Sequence, residues 1–287
     1  FRRVLFRSKG YRPDDPDWVR FLLGVTNPAY FGLYARRRMD LYGDTEEDFG
    51  LVKIKNSEHG FTNANARYRK TFTMADVYAS PMVAHPLRLL QICATSDGGA
   101  ALVISSVDYA KRMGRGDAPR VAAISTVTPT FASADVEMPD IATDSAAAAG
   151  VEATRFRAAL APKAYEEAGI GPEDVSLAEV YDLSSALELD WIEDLRLCPR
   201  GEAGRLTREG ATRIGGRIPV NASGGLACFG EAVPAQAISQ VCELTWQLRG
   251  QAGSRQVEGA KVGITANQGL FGHGSSVIVK QIGRAHV

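Results

Sequence analysis

Residues 221–231 read NASGGLACFGE, a glycine-rich loop that closes on a carboxylate and runs into an amphipathic, helix-forming stretch at 234–250. Gly224 and Gly225 permit positive φ and close backbone approach, which an ordinary strand-to-helix turn does not need twice in succession. The expected use is a cradle that holds N–H groups of Asn221, Gly224, Gly225 and Gly230 against a ligand; a simple tight turn is the alternative. Two more segments belong to the same half of the chain: EVYDLSSALELDW at 179–191 and NQGLFGHGSSVIV at 267–279.

Working outward, residues 118–281 alternate between strand and helix patterns. A short apolar run at 120–127 is followed by a helix at 146–168, and a Gly/Pro turn at 169–176 leads into a strand at 177–181, which is β-α-β order. Ser184 is placed to cap a helix over 185–195. Two final strands, 260–265 and 275–281, are joined by too short a link for a crossover, so they are expected to be antiparallel and the sheet mixed. In open α/β sheets ligands bind beyond the carboxyl ends of parallel strands. Tyr181 and Asp182 lie at one such end, and a single cleft formed with the 221–231 loop and the Gly272-His273-Gly274 loop is the economical arrangement.

The first stretch, 9–117, reads differently. Residues 51–73, LVKIKNSEHGFTNANARYRKTFT, are too polar for a core and read as a surface excursion or lid. Residues 85–106, HPLRLLQICATSDGGAALVISS, read as a helix or strand turning at 96–99 into a buried strand at 101–106. MGRGDAP at 113–119 breaks the pattern and marks the boundary between a first part, 9–117, and a second, 118–281. The Arg36-Arg37-Arg38 run reads as a solvated helix face, with a phosphate contact as the alternative. Residues 3–8, RVLFRS, and 282–287, IGRAHV, match the translation of a sequencing adapter and its complement, so 1–8 and 282–287 are set aside from the fold.

The 287 residues are 45% hydrophobic, with 29 glycines and 33 basic against 33 acidic side chains. That balance gives no electrostatic reason to expect nucleic acid as a partner. No apolar run approaches the roughly 20 residues of a membrane span. The four cysteines, Cys93, Cys198, Cys228 and Cys242, lack metal-ligand spacing, so no metal is expected and reduced thiols of a cytoplasmic protein are.

The ordered residues Val175, Ala178-Glu179-Val180-Tyr181-Asp182, then Pro219-Val220-Asn221 with Ser223-Gly224-Gly225-Leu226 and Gly230-Glu231, then Gly272-His273-Gly274, resemble the C-terminal half of a thiolase. The resemblance is to the sterol-carrier-protein type and its lipid-transfer-protein relatives. YGDTEED at 42–48, KNSEHGFTNANARYR at 55–69 and HPLRLLQICATSDGGAAL at 85–102 resemble the same proteins' loop region and the end of their N-terminal half. The resemblance implies an α/β fold with αβαβα layers and mixed sheets, here truncated at the N-terminus, usually dimeric and acting on acyl-CoA thioesters. Coenzyme A then enters as part of the substrate, and nothing is bound covalently.

Departures from the thiolase pattern sharpen the expected chemistry. Tyr181-Asp182-Leu183-Ser184 stands where thiolases carry an HDCF-type or Asn-containing motif. Glu231 stands where they carry a histidine, and Gln268 where they carry a reactive cysteine; the acylated cysteine of the first half would precede residue 9. Thiolysis needs those groups, whereas retro-aldol cleavage of a 3-hydroxyacyl-CoA needs an acid and a base but no covalent nucleophile. The chain is similar in this to steroid side-chain aldolases, which implies Tyr181 as proton donor and Glu231 as base. It also implies a small partner protein with a zinc ribbon and an OB fold. His273, between two glycines, is expected to face the cleft, and Asp182, Asn221, Gly224, Gly225, Gly230, Gly272 and Gly274 to contact substrate. An acyltransferase with its cysteine in the preceding half, and a non-catalytic acyl-CoA-binding subunit, are the alternatives.

Overall fold

The computed structural model of the chain describes residues 26–128, 159–269 and 273–281. Gly272, most of the helix expected at 146–168 and both adapter-like ends lie outside the described residues.

Helix α1 (Asn27–Tyr42) ends at Gly43, whose left-handed φ of 70° lets its N–H reach the Met39 carbonyl. Helix α2 (Glu46–Phe61) begins with a capping box between Thr45 and Asp48. A short α3 (Met74–Ala79), the antiparallel pair β1 (Met82–Ala84) and β2 (Leu87–Arg88), and α4 (Val107–Arg112) follow. Then come β3 (Arg120–Val127), α5 (Leu160–Ala168), β4 (Leu177–Val180), α6 (Ser185–Asp194), α7 (Ala203–Arg208), α8 (Gly225–Phe229), α9 (Ala235–Leu248), β5 (Val262–Gln268) and β6 (Gly274–Lys280).

The four-stranded sheet has the order β3-β6-β5-β4, with β4 parallel to β5 and the other pairs antiparallel. The expected mixed sheet is therefore present. Strand periodicity separates its faces. Ala178, Val180, Ile264, Ala266 and Ile278 join a core with α1, α5 and α6, while Leu177 and Val279 join a second one with Val241, Leu244 and Leu248 of α9. The sheet is thus covered on both faces by helices. Ser184 caps α6 through the Leu187 N–H, as its position suggested.

Three expectations are overturned. Residues 51–61 are not a surface excursion: they belong to α2, which buries Lys53, Lys55, Asn56 and His59 because each polar head has a partner. Lys55 Nζ meets Glu188 Oε1 at 2.5 Å and the Val220 carbonyl at 2.9 Å, and Lys53 Nζ donates to the Ala227 carbonyl at 2.8 Å. Residues 101–106 form no strand, and Val103 and Ile104 are exposed; among the described residues no neighbouring strand is paired with that segment's backbone. Arg38 is not solvated but fully buried, held by Asp44, Asp190 and Glu193 at 2.6 to 2.8 Å.

Candidate active site

The 221–231 loop is laid over α2 and the end of β4, and its amides are already spoken for. The Gly224 N–H donates to the Asn221 carbonyl, Gly225 to Ser223 Oγ, Leu226 to Asp182 Oδ1 at 2.7 Å and Ala227 to Asp182 Oδ2 at 3.2 Å. The expected N–H cradle therefore closes on Asp182 rather than opening to a ligand. The glycines are needed for packing: a Cβ on Gly224 would lie 2.6 Å from Gly60 Cα, and one on Gly225 would lie 2.6 Å from the Asp182 carboxylate oxygens, both at positive φ.

Asp182 and Asn221, expected to touch substrate, are instead internal braces. Asp182 is buried and also accepts from Asn56 Nδ2 at 3.0 Å. Its burial, and then the nearby Glu188, raise its pKa to about 8. Asn221 is fully buried, accepting from the Val180 N–H at 2.8 Å and donating to Glu188 Oε2 at 2.8 Å. Beneath them His59 bridges two backbone groups: Ile214 N–H donates to Nε2, so Nδ1 carries the proton and donates to the Asn221 carbonyl at 3.0 Å. Burial, with Lys55 next to it, lowers the His59 pKa to about 3 and keeps the ring neutral.

This bracing holds Tyr181 and Glu231 together, although 50 residues separate them. Tyr181 leaves β4 and Glu231 leaves α8 through Gly230; the Tyr181 hydroxyl donates directly to Glu231 Oε1. The Glu231 backbone is pinned by its N–H to the Ala94 carbonyl and its C=O to the Ser96 N–H. Trp191 Nε1 donates to the Tyr181 carbonyl at 3.1 Å, and Gln236 Nε2 donates to the Tyr181 hydroxyl at 3.2 Å. Burial first, and then Glu231, push the Tyr181 hydroxyl far above the usual phenol range, so it stays protonated.

Cys93 interacts electrostatically with the pair. Its burial and the Glu231 and Asp182 carboxylates push the thiol well up, the opposite of what a thiolate nucleophile needs. Cys228 is raised to about 11 and Cys198 to about 12, in both cases chiefly by burial. Among the described residues no cluster of His, Cys, Asp and Glu could hold a metal, and no helix is long and apolar enough to cross a membrane.

A cavity of about 530 Å³ begins at Gly230, Ala232 and Gln236, the immediate surroundings of the pair, and runs along α9 to Glu243 and Trp246. Of the three segments expected to share a cleft, the 221–231 loop lines this cavity, with Glu179 of β4 beside it; Tyr181 and Glu231 lie next to it, behind Gln236 and Gly230, and are not among its lining residues. In the third, Gly274 begins β6, His273 is exposed and its carbonyl accepts from the Gly269 N–H, and Gly272 is outside the described residues. His273 makes no hydrogen bond to Tyr181 or Glu231. Gln236, Asn56, His59 and Glu188 were missed by the sequence reading; the polar positions of α2 and α9 carry no signal of facing inward until their partners are known.

Comparison with known proteins bears on the whole assembly. The thiolase C-terminal domain-like family matches residues 132–281. An acetyl-CoA acetyltransferase of Methanothermobacter thermautotrophicus is 39% identical over 88% of this chain and 63% of its own. Sterol carrier protein 2 of Rattus norvegicus is 36% identical over 85% of this chain and 43% of its own. The chain thus spans less than two thirds of either relative. A solved Ltp2-ChsH2(DUF35) aldolase superposes with a TM-score of 0.76 at 27% identity, covering 95% of this chain and 69% of that one. From the α/β layers, the loop that closes on Glu231 and these matches, the chain belongs to the thiolase family.

Proposed function

We propose that this thiolase-family chain acts on acyl-CoA thioesters and cleaves a 3-hydroxyacyl-CoA by a retro-aldol reaction, with Tyr181 and Glu231 as the acid and base. The observation that carries the reading is their direct hydrogen bond beside the cavity. Glu231 takes the proton of the 3-hydroxyl group as the Cα–Cβ bond breaks. The hydroxyl carbon leaves as a ketone or aldehyde, and the electron pair becomes the thioester enolate. Tyr181, held protonated by burial, donates its proton to Cα and is recharged from Glu231 across the hydrogen bond. No net proton is gained or lost, and no covalent nucleophile is needed, which suits a site whose nearest thiol, Cys93, is pushed away from the thiolate form.

Gln236 holds the phenol from the other side, and Asp182 and Asn221 keep the strand end and the loop in register. The likeness to an aldolase solved as an Ltp2-ChsH2(DUF35) assembly supports a working form that includes a small partner protein; a homodimer is the expected arrangement of the thiolase halves. Acyl transfer is the second reading, favoured by the identity to an acetyl-CoA acetyltransferase; it requires a cysteine outside the described residues.

The test is single-turnover assay of the full-length protein, with its co-encoded partner, on 3-hydroxyacyl-CoAs. Ketone or aldehyde release should fall ~10²–10⁴-fold in Tyr181→Phe and comparably in Glu231→Gln, with KM little changed. Unchanged release in both variants refutes the assignment.

A further inference from the structure

The wall of the cavity contributed by α9 is polar where an alkyl chain would want it apolar. Gln236, Ser239, Gln240 and Glu243 fall at i, i+3, i+4 and i+7 and all line the cavity. Glu243 is satisfied by Arg255 at 2.9 Å and Gln247 at 3.0 Å, and Ser239 by the Gln236 carbonyl at 2.9 Å. The two glutamines are not satisfied. They are 7% and 5% exposed, yet among the described residues Gln236 Oε1 and Gln240 Nε2 have no hydrogen-bond partner.

The orientation of Gln236 follows from its neighbour. The single proton of the Tyr181 hydroxyl goes to Glu231, so that hydroxyl can only accept from Gln236, and Oε1 is left as a free acceptor. Gln240 is paired on one side with Asn267, 2.5 Å from Nδ2 to Oε1. Reversing both amides would exchange which atom is bonded, but Gln240 would still keep one unmatched polar atom, as would Asn267. Side chains at i and i+4 stand ~5–6 Å apart at Cβ, so one oxygen atom can bridge the two amides.

We propose that the Gln236–Gln240 pair recognises an oxygen substituent, a hydroxyl group, on the acyl part of the substrate, distinct from the 3-hydroxyl that reacts at Tyr181 and Glu231. The hydroxyl donates to Gln236 Oε1 and accepts from Gln240 Nε2. The substrate class is then an oxygenated acyl-CoA, and an unfunctionalised alkyl chain is selected against because it would leave both buried amides unmatched. This rests on the cleavage reading only for placing the acyl group in the cavity.

The pantetheine arm of coenzyme A offers amide groups of the same hydrogen-bonding character, so the test separates the two sources. Calorimetric binding to the full-length protein, with its partner, is measured for 3-hydroxydecanoyl-CoA and for the 3,5- and 3,7-dihydroxydecanoyl-CoAs, and again for their N-acetylcysteamine thioesters. At least one dihydroxy thioester should bind ~10- to 100-fold more tightly than the monohydroxy one on both carriers. Gln240→Met should reduce that preference toward unity while the monohydroxy affinity holds or rises; Gln236→Met should reduce the same preference, read as the ratio of the two affinities because Gln236 also holds the Tyr181 hydroxyl. If one variant does not fold, the other carries the comparison. Equal binding of all three acyl groups overturns the proposal. So does a preference that survives in the folded variants, or a variant effect seen with the CoA esters but not with the N-acetylcysteamine esters, which would assign the amides to pantetheine. Because binding is the readout, discrimination without turnover would retire the cleavage reading and leave this inference standing.

Discussion

Replacing Asp182 with alanine separates a brace from a substrate contact. Its carboxylate accepts from the Leu226 N–H at 2.7 Å, the Ala227 N–H at 3.2 Å and Asn56 Nδ2 at 3.0 Å. Asn56 keeps a second acceptor, Glu188 Oε2 at 2.6 Å, so it is not orphaned by the change. The two backbone donors are. Leu226 is buried and its N–H forfeits a full desolvation term of ~1–3 kcal/mol. Ala227 is half-buried and water recovers part of its loss. The total is about 2–4 kcal/mol, which for a protein of 287 residues lowers Tm by roughly 3–7 °C. Scanning calorimetry of Asp182→Ala, with Asp182→Asn as the intermediate case that keeps one acceptor, measures it. A Tm within about 1 °C of wild type, combined with a raised KM, would refute the bracing account and return Asp182 to the substrate.

Two further outcomes follow from the same bracing. Gly225→Ala and Gly43→Ala both force a residue with a Cβ into positive φ, at 59° and 70°, but only at Gly225 does the new Cβ meet a neighbour, the Asp182 carboxylate. Denaturant melts should show Gly43→Ala costing ~1 kcal/mol and Gly225→Ala at least ~1 kcal/mol more; equal losses would mean that the loop is not wedged against Asp182. His59 is held neutral, with its pKa lowered from 6.5 to about 3, so the unfolded chain binds the extra proton first. Its contribution is intact above pH 6.5 and is lost as pH falls toward 3, about 3 kcal/mol between pH 7 and pH 4. His59→Gln should flatten stability against pH in that window, and an unchanged slope would contradict the assignment.

The mixed sheet was readable because its cues are local: the short link between the last two strands, the Gly/Pro turn before β4 and Ser184 ahead of α6 each act within a few residues. Tyr181 and Glu231 were readable as an acid and a base from the motifs that surround them and the family those resemble, but their direct hydrogen bond was not, since only the fold closes 50 residues into one contact. The loop glycines were noticed for the right geometry, but their packing role was not foreseen. Their positive φ is real, but the amides they free are taken by Asp182 and Ser223, which no spacing rule anticipates. The polar face of α2 misled for a related cause. Lys55 is affordable inside only because Glu188 arrives from 133 residues away, and a buried charge without its partner reads as surface.

The carbon–carbon cleavage proposed for Tyr181 and Glu231 needs no free coenzyme A. Incubation of the full-length protein, with any co-encoded partner, with a 3-hydroxyacyl-CoA in the complete absence of added CoA is the decisive assay, with both products followed by mass spectrometry. The account predicts a ketone or aldehyde and a shortened acyl-CoA in equal amounts, at a rate that added CoA does not raise. Turnover only of 3-oxoacyl-CoA, and only when free CoA is supplied, would contradict it and identify the chain as part of an acyl-transferring thiolase.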